Sequence, residues 1–123
     1  MGTPFYKCNG NGNTFIIIVS STFKVQNLIS KNKIKNVCYN IEDSIIDGFI
    51  SANVTDDKII MNYYNNDGSW ETFCLNGLRC LALVLHEKYN KHKFSIYSNN
   101  ILYNCKVLED QIIEVELEEP FYM

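Results

Sequence analysis

The segment from Leu78 to Tyr89 does most to restrict how this chain can fold. It packs Leu78, Leu81, Ala82, Leu83, Val84 and Leu85 into little more than two helical turns, so a helix there is apolar over most of its surface. Such a helix belongs in the centre of a fold, covered on most sides. The remainder of the chain supplies strands to cover it. Phe5 to Cys8, Thr14 to Ser20, Ile46 to Val54, Lys58 to Asn65, Lys93 to Ser98, Ile101 to Leu108 and Gln111 to Leu117 are apolar, β-branched or aromatic runs. The residues between them are turn formers: Asn9 to Asn13, Thr55-Asp56-Asp57, Asn65 to Ser69, Asn99-Asn100 and Glu109-Asp110. A second helix is expected from Phe23 to Ile34, with Phe23, Val25, Leu28, Ile29 and Ile34 near one face. Ser21 or Thr22 would cap it, and Lys31, Lys33 and Lys35 would lie at its C-terminal end. The expected fold class is α+β, with a mostly antiparallel or mixed sheet curled around the central apolar helix. No linker or repeat divides residues 1–123, so they read as a single domain.

Charge and cysteine usage narrow the function. The net charge is −3 and Arg79 is the only arginine, which argues against nucleic-acid binding. The apolar runs Phe15 to Val19 and Leu81 to Leu85 are too short to span a bilayer, and the start of the chain has no secretory pattern. Five cysteines, an odd number without a CxxC pair, suit reduced thiols. A cytoplasmic protein is expected, without membrane association. The Asn9 to Asn13 cluster lacks the lysine and spacing of a phosphate loop and leads into a strand, so it reads as a hairpin turn. His86 and His92 have no metal-ligand spacing and read as structural or solvent-facing. The alternation of Glu114 to Leu117 is that of a strand with one wet face.

Asn65 to Cys80, NNDGSWETFCLNGLRC, differs from these. Cys74 sits just before Asn76-Gly77 and the apolar helix. A thiol at a helix N-terminus feels unpaired N–H groups and the positive end of the helix dipole, both of which favour thiolate. The same N–H groups can hold a carboxylate, which would pin a small amino acid beside the sulfur. A buried, purely structural Cys74 is the competing reading.

These residues resemble diaminopimelate epimerase, a cofactor-independent enzyme of lysine and peptidoglycan precursor synthesis. The family's K-x-H-G-x-G-N-D-F opening is similar to Lys7 to Phe15, and its C-D-R-x-x-G-I-G-x-D-G segment to Cys38 to Gly48, where Cys38, Asp47 and Gly48 are kept. Its F-N-A-D-G-S-E-x-x-x-C-G-N-G-x-R-C signature resembles Tyr64 to Cys80, matching at Asn65, Asp67, Gly68, Ser69, Cys74, Asn76, Gly77, Arg79 and Cys80. The ending Glu118-Glu119-Pro120-Phe121 resembles the close of the family's first lobe.

The resemblance implies the N-terminal lobe of such an epimerase, with the C-terminal lobe absent from these residues. It implies a two-cysteine mechanism: one thiolate removes the α-proton of LL- or meso-diaminopimelate while a second thiol protonates the opposite face. Cys74 corresponds to the first cysteine. Leu75, through its backbone, and Asn76 correspond to the loop that holds the amino-acid head group; Asn13 and Asn65 correspond to substrate-contacting side chains. No cofactor or metal is implied. The second cysteine would come from another lobe or from a second chain, a homodimer included, because Cys8, Cys38, Cys80 and Cys105 lie outside its motif and read as structural. The sequence departs from the pattern at Leu75, where the family has Gly, at Asp43-Ser44-Ile45, and at Asn9 and Thr14. Leu75 would crowd the substrate or block a positive φ. The alternatives are a non-catalytic small-molecule binding or interaction module that retains the fold, and an isomerase of the same fold acting on a different small acid.

Overall fold

The computed structural model describes residues 5–10, 12–21, 30–39, 46–55 and 58–117. Strands β1 (Tyr6–Gly10), β2 (Asn13–Ser20), β3 (Gly48–Val54), β4 (Ile59–Asn65), β5 (Trp70–Glu71), β6 (Lys93–Ser98), β7 (Ile101–Val107) and β8 (Ile113–Leu117) form one sheet, with helices α1 (Lys31–Tyr39) and α2 (Leu75–Tyr89). The sheet runs β1-β2-β3-β4-β6-β7-β8. It is mixed: β2–β3 and β4–β6 are parallel and the other pairs antiparallel. The sheet curls into a half-barrel. One edge of β4 is shared: Ile59 to Met61 pair with β6, whereas Tyr63 and Tyr64 pair with β5.

Side-chain alternation sorts the strands into two faces. Phe15, Ile17, Ile50, Ala52, Met61 and Ile96 pack on one face with Leu78, Leu81 and Leu85 of α2, all nearly or wholly inaccessible. Burying each such side chain favours folding by about 1.5–3 kcal/mol. Ile16 and Phe49, on the opposite face, pack with Ile34 and Cys38 of α1. In α2 the buried face runs from Gly77 to Leu85, while Glu87, Lys88 and Tyr89 are exposed.

The two tight hairpins form as the turn residues require. Gly10 pairs with Asn13, with Gly12 at φ +88°. Asn99 and Asn100 take φ 52° and 67° between Ser98 and Ile101, the left-handed pair a two-residue hairpin needs. Several boundaries move. Helix α2 starts at Leu75, not Leu78, because Cys74 caps it. The start of the helix expected from Phe23, with its Ser21 or Thr22 cap, lies outside the described residues or beside them. The described helix begins at Lys31 and continues to Tyr39, so Lys31, Lys33 and Lys35 stand in its first turns instead of its last. Ser30 is the reason: its Oγ accepts from Lys33 N at 3.2 Å and its carbonyl from Ile34 N at 3.1 Å. The Thr55 to Asp57 turn falls mostly outside the described residues, although Thr55 N donates to Lys58 O at 2.8 Å. Between β7 and β8 the expected two-residue turn is replaced by a short 3₁₀ turn, Glu109–Gln111, with Gln111 at φ 62°, and β8 starts only at Ile113.

Gly68 closes the β4–β5 turn at φ +91°, and a Cβ there would run into the carbonyl and side chain of Lys31. Gly68→Ala is therefore expected to destabilise the fold by about 1–3 kcal/mol, read as a lower urea midpoint at unchanged slope. An unchanged midpoint would show that this turn is not clamped against α1.

Candidate active site

Helix α2 delivers the central thiol. Cys74 is its N-cap in extended conformation (φ −147°, ψ 112°), and its Sγ accepts from Gly77 N at 3.4 Å. Its carbonyl accepts from Leu78 N at 2.9 Å. Gly77 fits because a Cβ there would stand 2.8 Å from Ile50 Cδ1 and 3.5 Å from Cys74 Cβ and Sγ; the helix start lies directly on β3. The preceding loop is held by Ser98 Oγ, which donates to Thr72 O at 3.4 Å, and by Phe73, which stacks on Tyr103 with centroids 4.6 Å apart.

The opening hairpin supplies the next part. Asn76 Nδ2 donates to Asn13 Oδ1 at 2.9 Å, tying the first turn of α2 to the first residue of β2. Thr14 N donates to Asp47 Oδ2 and Asp47 N donates to Thr14 O, each at 2.8 Å. Asn9 Nδ2 donates to Thr14 Oγ1 at 2.9 Å. The Lys7–Phe15 and Asp47-Gly48 segments thus meet at one place.

Strands β4 and β5 form a further wall. Asn65 Nδ2 donates to Ser69 Oγ at 3.1 Å and to Glu71 Oε2 at 2.9 Å. Asp67 Oδ1 accepts from Ser69 N at 2.9 Å and Ser69 Oγ at 2.7 Å, and these bonds hold the Asp67 carboxyl below its ordinary value. Glu71 stands opposite Tyr63, on the same sheet face. The Tyr63 hydroxyl lies near enough to Cys74 for the thiol to raise its pKa. Its ring crosses Gly48, where a Cβ would come within 2.5 Å of it, and meets Phe15 edge-on.

Of the residues expected at the site, Cys74, Asn76 and Asn13 are brought together directly. Asn65 lies on the same sheet face as Tyr63 but is engaged by Ser69 and Glu71. Leu75 is the first residue of α2 and 43% exposed. The positive-φ residues other than glycine, among those described, are Asn90, Asn99, Asn100 and Gln111. The expected conflict between Leu75 and a positive φ therefore does not arise, since helical backbone suits leucine. Cys38, Cys80 and Cys105 are buried, and burial pushes Cys38 and Cys105 to about 11. His86 lies beside His92, with its Nδ1 2.7 Å from Lys91 O. Among the described residues no group of His, Cys, Asp or Glu converges as a metal site, and no helix is long and apolar enough to cross a membrane.

Tyr63 and Glu71 escaped the sequence reading. No local pattern marks a tyrosine that reaches a thiol on another element. Glu71 acquires its place from β5, a two-residue strand below the length at which alternation is visible.

Tyr63 also gives the site a pH signature. Burial first, then the adjoining Cys74 and the Glu71 and Asp47 charges, push its hydroxyl from 10.0 to about 12. A raised folded-state value means the native protein holds this proton more tightly than the unfolded chain. The stabilisation is complete below pH 10 and is lost as pH rises through about 12. Tyr63→Phe is expected to flatten the decline of the urea midpoint over that window. Equal declines in both proteins would mean the hydroxyl is not held as described.

No family model matches the chain. Curated relatives do. The diaminopimelate epimerase of Carboxydothermus hydrogenoformans is 31% identical over 124 aligned positions, covering 94% of this chain and 44% of that protein. That of Thermotoga maritima is 35% identical over 80 positions, covering 65% and 32%, and that of Trichodesmium erythraeum 29% over 124, covering 98% and 44%. The chain thus spans less than half the length of these relatives. Two solved structures share the fold, each with a TM-score of 0.67 over 86% of this chain and 40% of theirs: a phenazine biosynthesis PhzC/PhzF protein from Clostridium difficile, 8% identical, and a phenazine biosynthesis protein of the PhzF family from Enterococcus faecalis, 10% identical. At that identity they speak for the fold alone. The Lys7–Phe15, Asp47-Gly48 and Tyr64–Cys80 segments meet around one thiol, and over most of its length this chain is similar to diaminopimelate epimerases, of which it matches less than half.

Proposed function

We propose that this chain supplies one half of a cofactor-independent epimerase active site, with Cys74 as its acid–base thiol. The placement of Cys74 Sγ at the N-terminus of α2, on Gly77 N–H and beside the Tyr63 hydroxyl, carries this reading. Gly77 N–H is taken by the sulfur. The N–H groups of Leu75 and Asn76, which helix geometry leaves without intrahelical acceptors, remain to hold the α-carboxylate of an amino acid. The Cys74 thiolate then takes the α-hydrogen as a proton, and its electron pair stays on the α-carbon. A thiol on the opposite face returns a proton, inverting the centre; no redox change occurs. The α-proton is weakly acidic, so orientation and the fixed N–H dipoles must stabilise the carbanion.

The substrate in this reading is LL- or meso-diaminopimelate, as the relatives' names suggest, and the setting is cytoplasmic lysine and peptidoglycan precursor synthesis. The second cysteine belongs to another lobe or another chain. Asn13 and Asn65 contact the substrate, Asn65 exchanging a bond to Ser69 or Glu71 for one to the ligand.

The test is loss of the diaminopimelate Cα proton signal in D2O by proton NMR. It is run on the chain alone and with a C-terminal lobe from a relative, each with and without Cys74→Ser. Exchange that needs both Cys74 and the added lobe is expected. Serine is a preferred N-cap residue, so Cys74→Ser should melt no lower than the parent and its lost exchange cannot be blamed on unfolding. No exchange in any mixture would overturn the reading in favour of a binding module. Leu75→Gly is expected to raise the exchange rate by clearing the carboxylate position. A lower rate at unchanged stability would make Leu75 a substrate contact.

A further inference from the structure

Two thiols outside this chemistry face each other. The register of β1 sets Cys8 opposite Phe15, and therefore on the sheet face that α2 covers. Gly10, one pleat further, lies so close to α2 that a Cβ on it would stand 2.8 Å from Cys80 Sγ. Cys80 is 1% exposed, whereas Cys8 is half-buried, and the two thiols are near enough to shift each other's titration. A cavity of about 420 Å³, lined by Asn9, Gly10, Asn76, Arg79, Cys80 and Leu83 among others, opens beside Cys80.

We propose that Cys8 and Cys80 form a reversible disulfide that staples β1 to α2, a modification site separate from the Cys74 chemistry. The oxidant class is a small-molecule disulfide. Cys8 thiolate attacks one sulfur of RS–SR, forming Cys8–S–SR and releasing RS⁻. That thiolate takes the Cys80 proton, and Cys80 then attacks Cys8 Sγ and displaces the second RS⁻, which is protonated by water. Two protein thiols are oxidised by two electrons, and one RS–SR is reduced to two RSH. The order of attack follows from the surroundings. Cys8 is the more accessible, and the adjoining Cys80 thiol holds it below its ordinary 9.0 against burial and the Glu87 charge. Cys80 is held protonated chiefly by the adjoining Cys8, then by burial and the neighbouring sulfur charges. Conversion of Cys8 to the mixed disulfide removes that influence and the Cys8 charge together, which frees Cys80 to react.

The experiment incubates the full chain with oxidised glutathione, blocks remaining thiols with iodoacetamide, and reads intact mass and peptide linkages. The expected product has lost two hydrogens, takes up two fewer alkyl groups and yields a Cys8–Cys80 linked peptide that dithiothreitol abolishes. Its Tm rises by several degrees, because the bond closes a ring of more than half the chain. Cys74→Ser should form the same bond. Cys8→Ser, at a half-buried position, should fold and form none. A linkage through Cys74, a stable glutathione adduct at Cys8, or an unmodified protein would each overturn the proposal. None of these readouts requires epimerase activity, so failure here is separable from failure of the function proposed above.

Discussion

Everything at the candidate site hangs on how closely α2 lies on the sheet. At Gly77 a methyl group would stand 2.8 Å from Ile50 Cδ1 and displace it, and one residue earlier Asn76 is bonded to the start of β2. A wider spacing would take Cys74 away from Tyr63 and separate the opening hairpin from the helix. The apolar face of α2 supplies the attraction, through Leu78, Leu81 and Leu85, and glycine at position 77 lets that attraction act at the very first turn. The three motifs are distant in sequence and meet only because this contact is tight.

The surroundings of the sulfur are uneven. Backbone N–H groups of α2 lie on one side, and the carboxylates of Asp47 and Glu71 act on Tyr63 from the sheet. The tyrosine between them remains a neutral donor throughout the physiological range. Glu71 differs from the other members of this wall in that it holds the Asn65 amide while facing Tyr63, so the β4–β5 turn is braced before any ligand arrives.

Much of this was legible in the residues. Six apolar residues in one short run, five of them buried, identified α2, paired asparagines identified the β6–β7 turn, and the spacing of Asn65 to Cys80 singled out Cys74 as the helix-terminal thiol. What escaped was set by tertiary structure. The two-residue β5 exists because Tyr63 and Tyr64 offer it an edge beyond the reach of β6. Lys31, Lys33 and Lys35 suggested a helix end, but Ser30 starts a helix there, and a side-chain cap outweighs a weak charge preference. The 3₁₀ turn before β8 depends on Gln111 adopting a positive φ that its side chain does not favour.

The parallel pairings have a kinetic consequence. Antiparallel hairpins such as β6–β7 join neighbours in the chain, but β2 must find β3, and β4 must find β6, across long intervening segments. Closing those loops costs entropy before any contact repays it, so such folds form on the millisecond-to-second side of the range. The bond between Asn13 and Asn76 spans 63 residues, more than half of the chain. Local hairpins and α2 need only near neighbours in the chain, whereas the setting of Cys74 needs this distant contact. The integrity of the site is accordingly tied to the native topology as a whole.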